Sequence, residues 1–318
     1  MLREINDKVI TIELSLVGTT PVRSTLVKGA TYYVLIDTGT KPQCEQILKY
    51  LNEVVGDLSK IRLILNTHGH HDHIGSNNQI KTATGALLGC PQGAVPWIED
   101  FEEHYKRFCL VDTDILPDQQ WMRDECFSLL DAETHVDLTL REGDYVKLDD
   151  TVKLRILELP GHMIDEIGFI EESTNTLIIG DAIICNDIVD IGPLFHGYQD
   201  AKSYKATLSR LNKLASSNRY KAIVSGHLPI TDYTGLLEFI KTAEAFFDNV
   251  ERSIISTIGD SDAPISGKEV WEKLCDRWGY RKEFRGLSMV KSHVELLRDQ
   301  GIIGGDWKHG YFIRDQVK

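Results

Sequence analysis

The stretch Asn66-Thr67-His68-Gly69-His70-His71-Asp72-His73-Ile74-Gly75 concentrates four imidazoles and a carboxylate between positions 68 and 73. It follows the apolar run Ile61-Arg62-Leu63-Ile64-Leu65 and precedes a polar, helix-compatible segment, so a strand delivers these groups into one tight turn. Imidazole nitrogens and carboxylate oxygens are the donors of Zn, Mn and Fe sites. In extended or turn geometry His68 and His70 face one way while Asp72 and His73 splay to the other. Such a loop suits two ions. The alternative is a solvated, tag-like His-rich tract, which belongs at a terminus rather than behind a buried strand.

The rest of the chain must bury that strand, and its 318 residues allow one large α/β domain with a small appendage. Apolar content of 42% with 26% charged residues is ordinary globular composition. The net charge of −13 argues against a mainly electrostatic nucleic-acid or anionic-membrane binder. Cys44, Cys90, Cys109, Cys126, Cys185 and Cys275 show no CxxC spacing, so they read as reduced thiols of a cytoplasmic protein. The N-terminus has no apolar signal core, and no apolar run approaches membrane-spanning length.

Residues 8–36 alternate and cluster β-branched residues between Gly18, Pro21 and Gly29, predicting a β-meander that ends in Asp37-Thr38-Gly39. Ile47, Leu48, Leu51, Val54 and Val55 predict an amphipathic helix before the histidine-rich turn. A helical insertion is expected at about 96–136, where Phe101, His104, Tyr105 and Phe108 recur at helical spacing. It reads either as a helix packed on the core or as a cap. As a cap, its Phe101, Tyr105, Phe108 and Trp121, with Met163, would line an apolar substrate pocket. Further on, three apolar strands each end in a potential ligand beside a glycine: His162, Asp181 and His227.

His68-x-His70-x-Asp72-His73, followed in order by these three strand-end residues, resembles the signature of the metallo-β-lactamase superfamily. The resemblance implies an α/β fold, an αββα sandwich, over residues 1–250 with a dinuclear centre. It implies that His68, His70 and His162 hold one divalent ion and Asp72, His73 and His227 the other, with Asp181 bridging. Asp37 would lie beneath the loop and organise it through hydrogen bonds. The ions expected first are Zn, with Fe or Mn as alternatives. Metal binding lowers the pKa of water towards neutrality, giving a hydroxide nucleophile for an ester-type carbonyl, and Asp72 can orient it or accept a proton. A cysteine would replace Asp181 in the zinc-cysteine β-lactamase branch, and a carboxylate would replace His70 in the flavodiiron branch. Neither substitution is present. Met163 after His162, and Ser225 before Gly226-His227, depart from commoner patterns and bear on substrate class rather than on ligands.

Residues 251–318 predict helices and a terminal hairpin in winged-helix order. This module carries twelve Lys/Arg and eleven Asp/Glu, a charge of +1 against −14 for the remainder. Packing on the hydrolase domain or homodimerisation is therefore preferred to nucleic-acid binding. Three functions follow. The first is hydrolysis of a thioester, ester or lactone of a small acyl compound, as in the resembled quinolone, polyketide and hydroxyacylglutathione thioesterases. The second is phosphodiester or RNA cleavage by the same centre. The third is a regulatory protein whose metal site is largely structural.

Overall fold

The computed structural model describes residues 1–150 and 152–314; Thr151 and the last four residues of the expected 251–318 module lie outside them. Two sheets carry the site. The first runs in sequence order through β1 (Leu2–Glu4), β2 (Val9–Val17), β3 (Thr20–Lys28), β4 (Tyr33–Ile36), β5 (Ile61–Leu65), β6 (Leu87–Pro91) and β7 (Leu138–Leu140). β1 to β4 form the antiparallel meander, and β4 to β7 pair in parallel. The switch comes where helices replace tight turns as connections: α1 (Cys44–Val55), the single turn α2 (His71–Ile74) and α3 (Asn77–Thr84). The second sheet contains β8 (Tyr145–Lys147), β9 (Lys153–Glu158), β10 (Ile167–Glu171), β11 (Thr176–Ile178) and β12 (Ala222–Val224), in the order β12-β11-β10-β9-β8.

The sheets pack face to face through one apolar layer. Val27, Val34, Ile36 and Leu65 of the first meet Leu154, Ile156, Phe169 and Val224 of the second. Helices cover both outer faces. Ile47 and Leu51 of α1 and Ile80 of α3 bury against Ile64 and Leu88. On the other side α7 (Ala201–Ser216) sets Leu208 and Leu211 in the cluster that holds Ile170, Leu177 and Ile223. These are the four layers of an αββα sandwich. Because the ligand-bearing turns follow β5, β9, β11 and β12, and the turn carrying Asp37 follows β4, they gather along one edge of it.

The insertion forms three helices, α4 (Val95–Glu99), α5 (Phe101–Cys109) and α6 (Gln120–Ser128). Asp100 caps α5, its carboxylate accepting from Glu103 N at 2.9 Å. After β12, α8 (Tyr233–Gly259) runs for 27 residues and passes straight through residue 250, where the sequence suggested a boundary. Its buried residues Leu236, Ile240, Ala243, Phe247, Val250, Ile254 and Ile258 trace one continuous stripe. α9 (Gly267–Trp278) starts with a capping box between Ser266 and Glu269. α10 (Phe284–Asp299) and the hairpin β13 (Ile303–Asp306) and β14 (Gly310–Ile313) complete the winged-helix order. Trp271, Leu274, Val290 and Leu297 share one core with Leu208 and Ile223, so the C-terminal helices are continuous with the outer layer of the second sheet.

Candidate metal centre

β5 ends at Leu65, and the chain crosses to α2 through Asn66–His70, placing His68, His70, Asp72 and His73 beneath the open edge of the sandwich. Asp37, at the end of β4, holds the crossing. Its Oδ1 accepts from Thr67 N and its Oδ2 from Thr67 Oγ1, both at 2.8 Å, and Oδ2 lies 2.8 Å from His73 Nδ1. Asp37 does this in the left-handed region, with φ of 58°. The strand-end ligands are anchored the same way. His162 Nδ1 lies 2.9 Å from Gly197 O and His227 Nδ1 2.6 Å from Pro21 O, which leaves both Nε2 atoms facing inward. The buried Arg23 guanidinium donates to the carbonyls of Ser225 (3.1 Å) and Leu228, tying β3 to the His227 turn.

Two donor sets result, His68/His70/His162 and Asp72/His73/Asp181/His227, and within each the ligating atoms lie within 4.8 Å of one another. Asp181 Oδ2 sits between them, 3.0 Å from His227 Nε2, 3.2 Å from His73 Nε2 and 3.8 Å from His162 Nε2. Asp72 Oδ2 lies 3.2 Å from His227 Nε2. All seven residues are buried.

Electrostatics shows what such a site lacks. Burial pushes His68, His70 and His162 below the ordinary imidazole range, so all three are neutral donors. Burial opposes charge on Asp72 and Asp181 too, but His73 and His227 outweigh it and hold both carboxyls well below their usual range. Burial likewise disfavours the His227 cation, yet Asp181 and Asp72 pull it up to about 10. The acidic half of the site thus draws in positive charge. His68 Nε2, His70 Nε2 and Asp181 Oδ1 are buried with no hydrogen-bond partner. An unpaired buried polar atom costs about 1–3 kcal/mol, and a divalent ion in each set would satisfy all three. The donors fit the ions.

Residues 17–227 match the family model described as the metallo-beta-lactamase superfamily, a span that contains every one of these ligands. The chain belongs to that superfamily. Among its relatives, the hydroxyacylglutathione hydrolase GloC of Haemophilus influenzae is 29% identical over 150 residues, covering 47% of this chain and 60% of GloC. A hydroxyacylglutathione hydrolase of Cereibacter sphaeroides is 28% identical over 58% of this chain and 54% of its own length. The chain thus spans little more than half the length of these relatives. "Probable metallo-hydrolase YqjP" of Bacillus subtilis is 25% identical over 89% of both chains. A metallo-beta-lactamase family protein of Thermus thermophilus has the same fold, with a TM-score of 0.74 at 19% identity over 98% of this chain and all of that one.

Where the superfamily site opens, a cavity of about 190 Å³ lies over the ligands. Of the five residues expected to line it, Phe108 does so, its ring 4.8 Å from that of His70. The other four do not. Phe101 and Tyr105 turn towards α6, with rings 6.4 and 6.0 Å from Phe127. Trp121 is 44% exposed, and Met163 is buried away from the cavity. The physical reason is that α5 has two apolar faces rather than one. Phe101 and Tyr105, four apart, pack on α6; His104 and Phe108, four apart, pack on Trp97.

Several site residues carried no readable sequence signal. Ile184, Ile191 and Leu194, from the segment after Asp181, wall the cavity with His196, whose Nε2 is buried and unpartnered. Burial lowers the His196 imidazole to about 3, so its ring is neutral. The first turn of α10 supplies Phe284, Arg285 and Ser288. Arg285 donates to Glu283 at 2.8 Å and Glu125 at 3.0 Å, fastening α10 to the insertion. Glu166 is wholly buried. Its Oε1 accepts from Asp181 N at 2.6 Å, and burial followed by the nearby Asp181 raises its carboxyl well above the usual range. Only a strand-entry position before β10 marks Glu166 in the sequence.

Proposed function

We propose that the protein is a dinuclear metal-dependent hydrolase of a thioester or related ester-type bond in a small acyl compound. The observation that carries the reading is the pair of donor sets meeting at Asp181, with three buried ligand atoms unpartnered. When bound, two divalent ions, Zn first and Fe or Mn as alternatives, would supply water ionised near neutral pH and an electrophile for the developing oxyanion. His68, His70 and His162 would hold one ion; Asp72, His73 and His227 the other; Asp181 would touch both.

The chain's own groups do the rest. Asp72 Oδ2 stands beside His227 at the cavity floor, where a carboxylate can orient a water and take its proton. His196 offers an unpaired neutral imidazole to a substrate oxygen. Phe108, Ile184, Ile191, Leu194 and Phe284 exclude water and give the acyl chain an apolar wall. Arg285, which lines the cavity while paired with Glu283 and Glu125, can also meet a carboxylate at the distal end of such a substrate. The thioester reading is also supported by the names of the hydroxyacylglutathione hydrolase relatives. A mainly apolar cavity walled by α10 favours a small acyl substrate over a nucleic-acid strand.

The test is a panel of acyl-CoA and acylglutathione thioesters, simple lactones and bis(p-nitrophenyl) phosphate, assayed on metal-loaded protein with elemental analysis of the same sample. Thioester or lactone turnover that is abolished by chelation and restored by metal supports the reading. Turnover of the phosphodiester alone overturns it.

A further inference from the structure

His71 lies between two ligands of the centre but joins neither donor set. Its ring turns instead towards the insertion, 6.1 Å from the ring of His104 and 5.2 Å from that of Phe108. There, a ligand atom each from His71, His104 and Cys126 lie within 4.8 Å of one another. The three residues come from α2, α5 and α6 and are 7%, 0% and 2% exposed. The Cys109 thiol at the end of α5 adjoins Cys126 but lies outside this cluster.

Two observations point to a missing occupant. His104 Nδ1 lies 3.1 Å from Trp97 O and must be the protonated nitrogen, which leaves Nε2 with a lone pair. That Nε2 is buried with no hydrogen-bond partner, and so is His71 Nδ1. The Cys126 thiol adjoins both imidazoles but has a single proton, so at least one nitrogen stays unsatisfied, which is costly in a protein interior unless something accepts its lone pair. Borderline-soft divalent ions do so. A tetrahedral Zn with bonds of about 2.0–2.3 Å needs ligand atoms roughly 3.3–3.8 Å apart, so the three need close in by no more than about 1.5 Å.

We propose that His71, His104 and Cys126 form a second metal site that takes a Zn-like ion separately from the dinuclear centre. Its donors are buried and include a sulfur, as in structural sites. Cys126 binds as the thiolate, its proton passing to solvent when the ion enters. The ion would clamp α2, which carries Asp72 and His73 of the centre, to α5 and α6 of the insertion. It would act as a staple between catalytic loop and cap.

Sulfur makes the site separately observable, because the seven residues of the dinuclear centre include no cysteine. The full-length protein, kept reduced, is stripped of metal and reloaded with Co(II). Absorption spectra then read a thiolate-to-cobalt charge-transfer band, with cobalt counted by elemental analysis. The expected result is a band that grows in with about one equivalent of cobalt and is lost in Cys126→Ser together with about one equivalent. His104→Ala, on a different helix, should weaken it likewise if Cys126→Ser folds poorly. The band does not need an occupied dinuclear centre, so failure of the hydrolase reading leaves this outcome intact. No band in reduced, cobalt-saturated protein, or a band that persists in well-folded Cys126→Ser, overturns the proposal.

Discussion

Asp37 Oδ2 and His73 Nδ1 lie 2.8 Å apart, and the same carboxylate binds both the backbone and the hydroxyl of Thr67. One side chain therefore fixes the tautomer of a ligand and the path of the loop that carries three others. Loss of such a supporting carboxylate typically costs about 10–100-fold in metal affinity. Asp37→Ala should weaken binding at the His73 side of the centre by that order, read by competition with a chromogenic chelator. Asp37→Asn, which can still accept from Thr67, should lose less.

The turn at Gly180 leaves no room. With φ of 52°, a Cβ there would sit 2.6 Å from Glu166 Oε1 and 2.9 Å from Thr67. Gly180→Ala should destabilise the fold by about 1–3 kcal/mol and displace Asp181 from its place between the two donor sets. Urea denaturation gives the first quantity. Metal stoichiometry gives the second, which should fall below that of the parent protein.

Cavity residues and surface aromatics should separate cleanly in kinetics. Phe108→Ala removes a ring that touches His70, His71 and Phe284, and should raise KM for small acyl substrates about tenfold or more. Trp121→Ala, at an exposed position on α6, should change KM less than twofold. Equal effects from the two would mean that the substrate lies elsewhere.

The metal-free protein should lose stability as the solution becomes alkaline. His227 is raised to about 10 by Asp181 and Asp72 against the opposing effect of burial, above an unfolded value of about 6.5. Its contribution is complete below about pH 6.5 and disappears as pH rises through 10. Asp72 and Asp181 are held low, so their contribution is present above the unfolded carboxylate range and disappears as pH falls below it. Melting temperatures of chelator-treated protein should therefore drop between pH 7 and 10. The metal-loaded protein, in which ions replace the proton on His227, should drop less over that interval.

The ligands were legible because each stands at the end of an apolar strand, and a strand end is marked by its own sequence. The cavity was not, because its walls come from segments whose roles depend on distant packing. Phe284 and Arg285 are separated from Phe108 by most of the chain, yet the Phe108 and Phe284 rings lie 5.0 Å apart. Periodicity placed α5 correctly but could not say which of its two apolar faces met the site. β10 and the first half of α8 carried hydrophobic patterns that became meaningful only with the second sheet beneath them. Glu166 reads as a polar residue beside a strand, and only the fold reveals that it is buried under Asp181.

The rod-like α8 has a consequence for how this molecule can change over time. Residues 17–227 contain every ligand of the dinuclear centre, whereas Phe284, Arg285 and Ser288 arrive by way of that uninterrupted helix. The candidate ligands and one wall of the cavity are thus encoded in different stretches of chain. Replacement of the tail would reshape that wall of the cavity while leaving the ligand-bearing turns as they were.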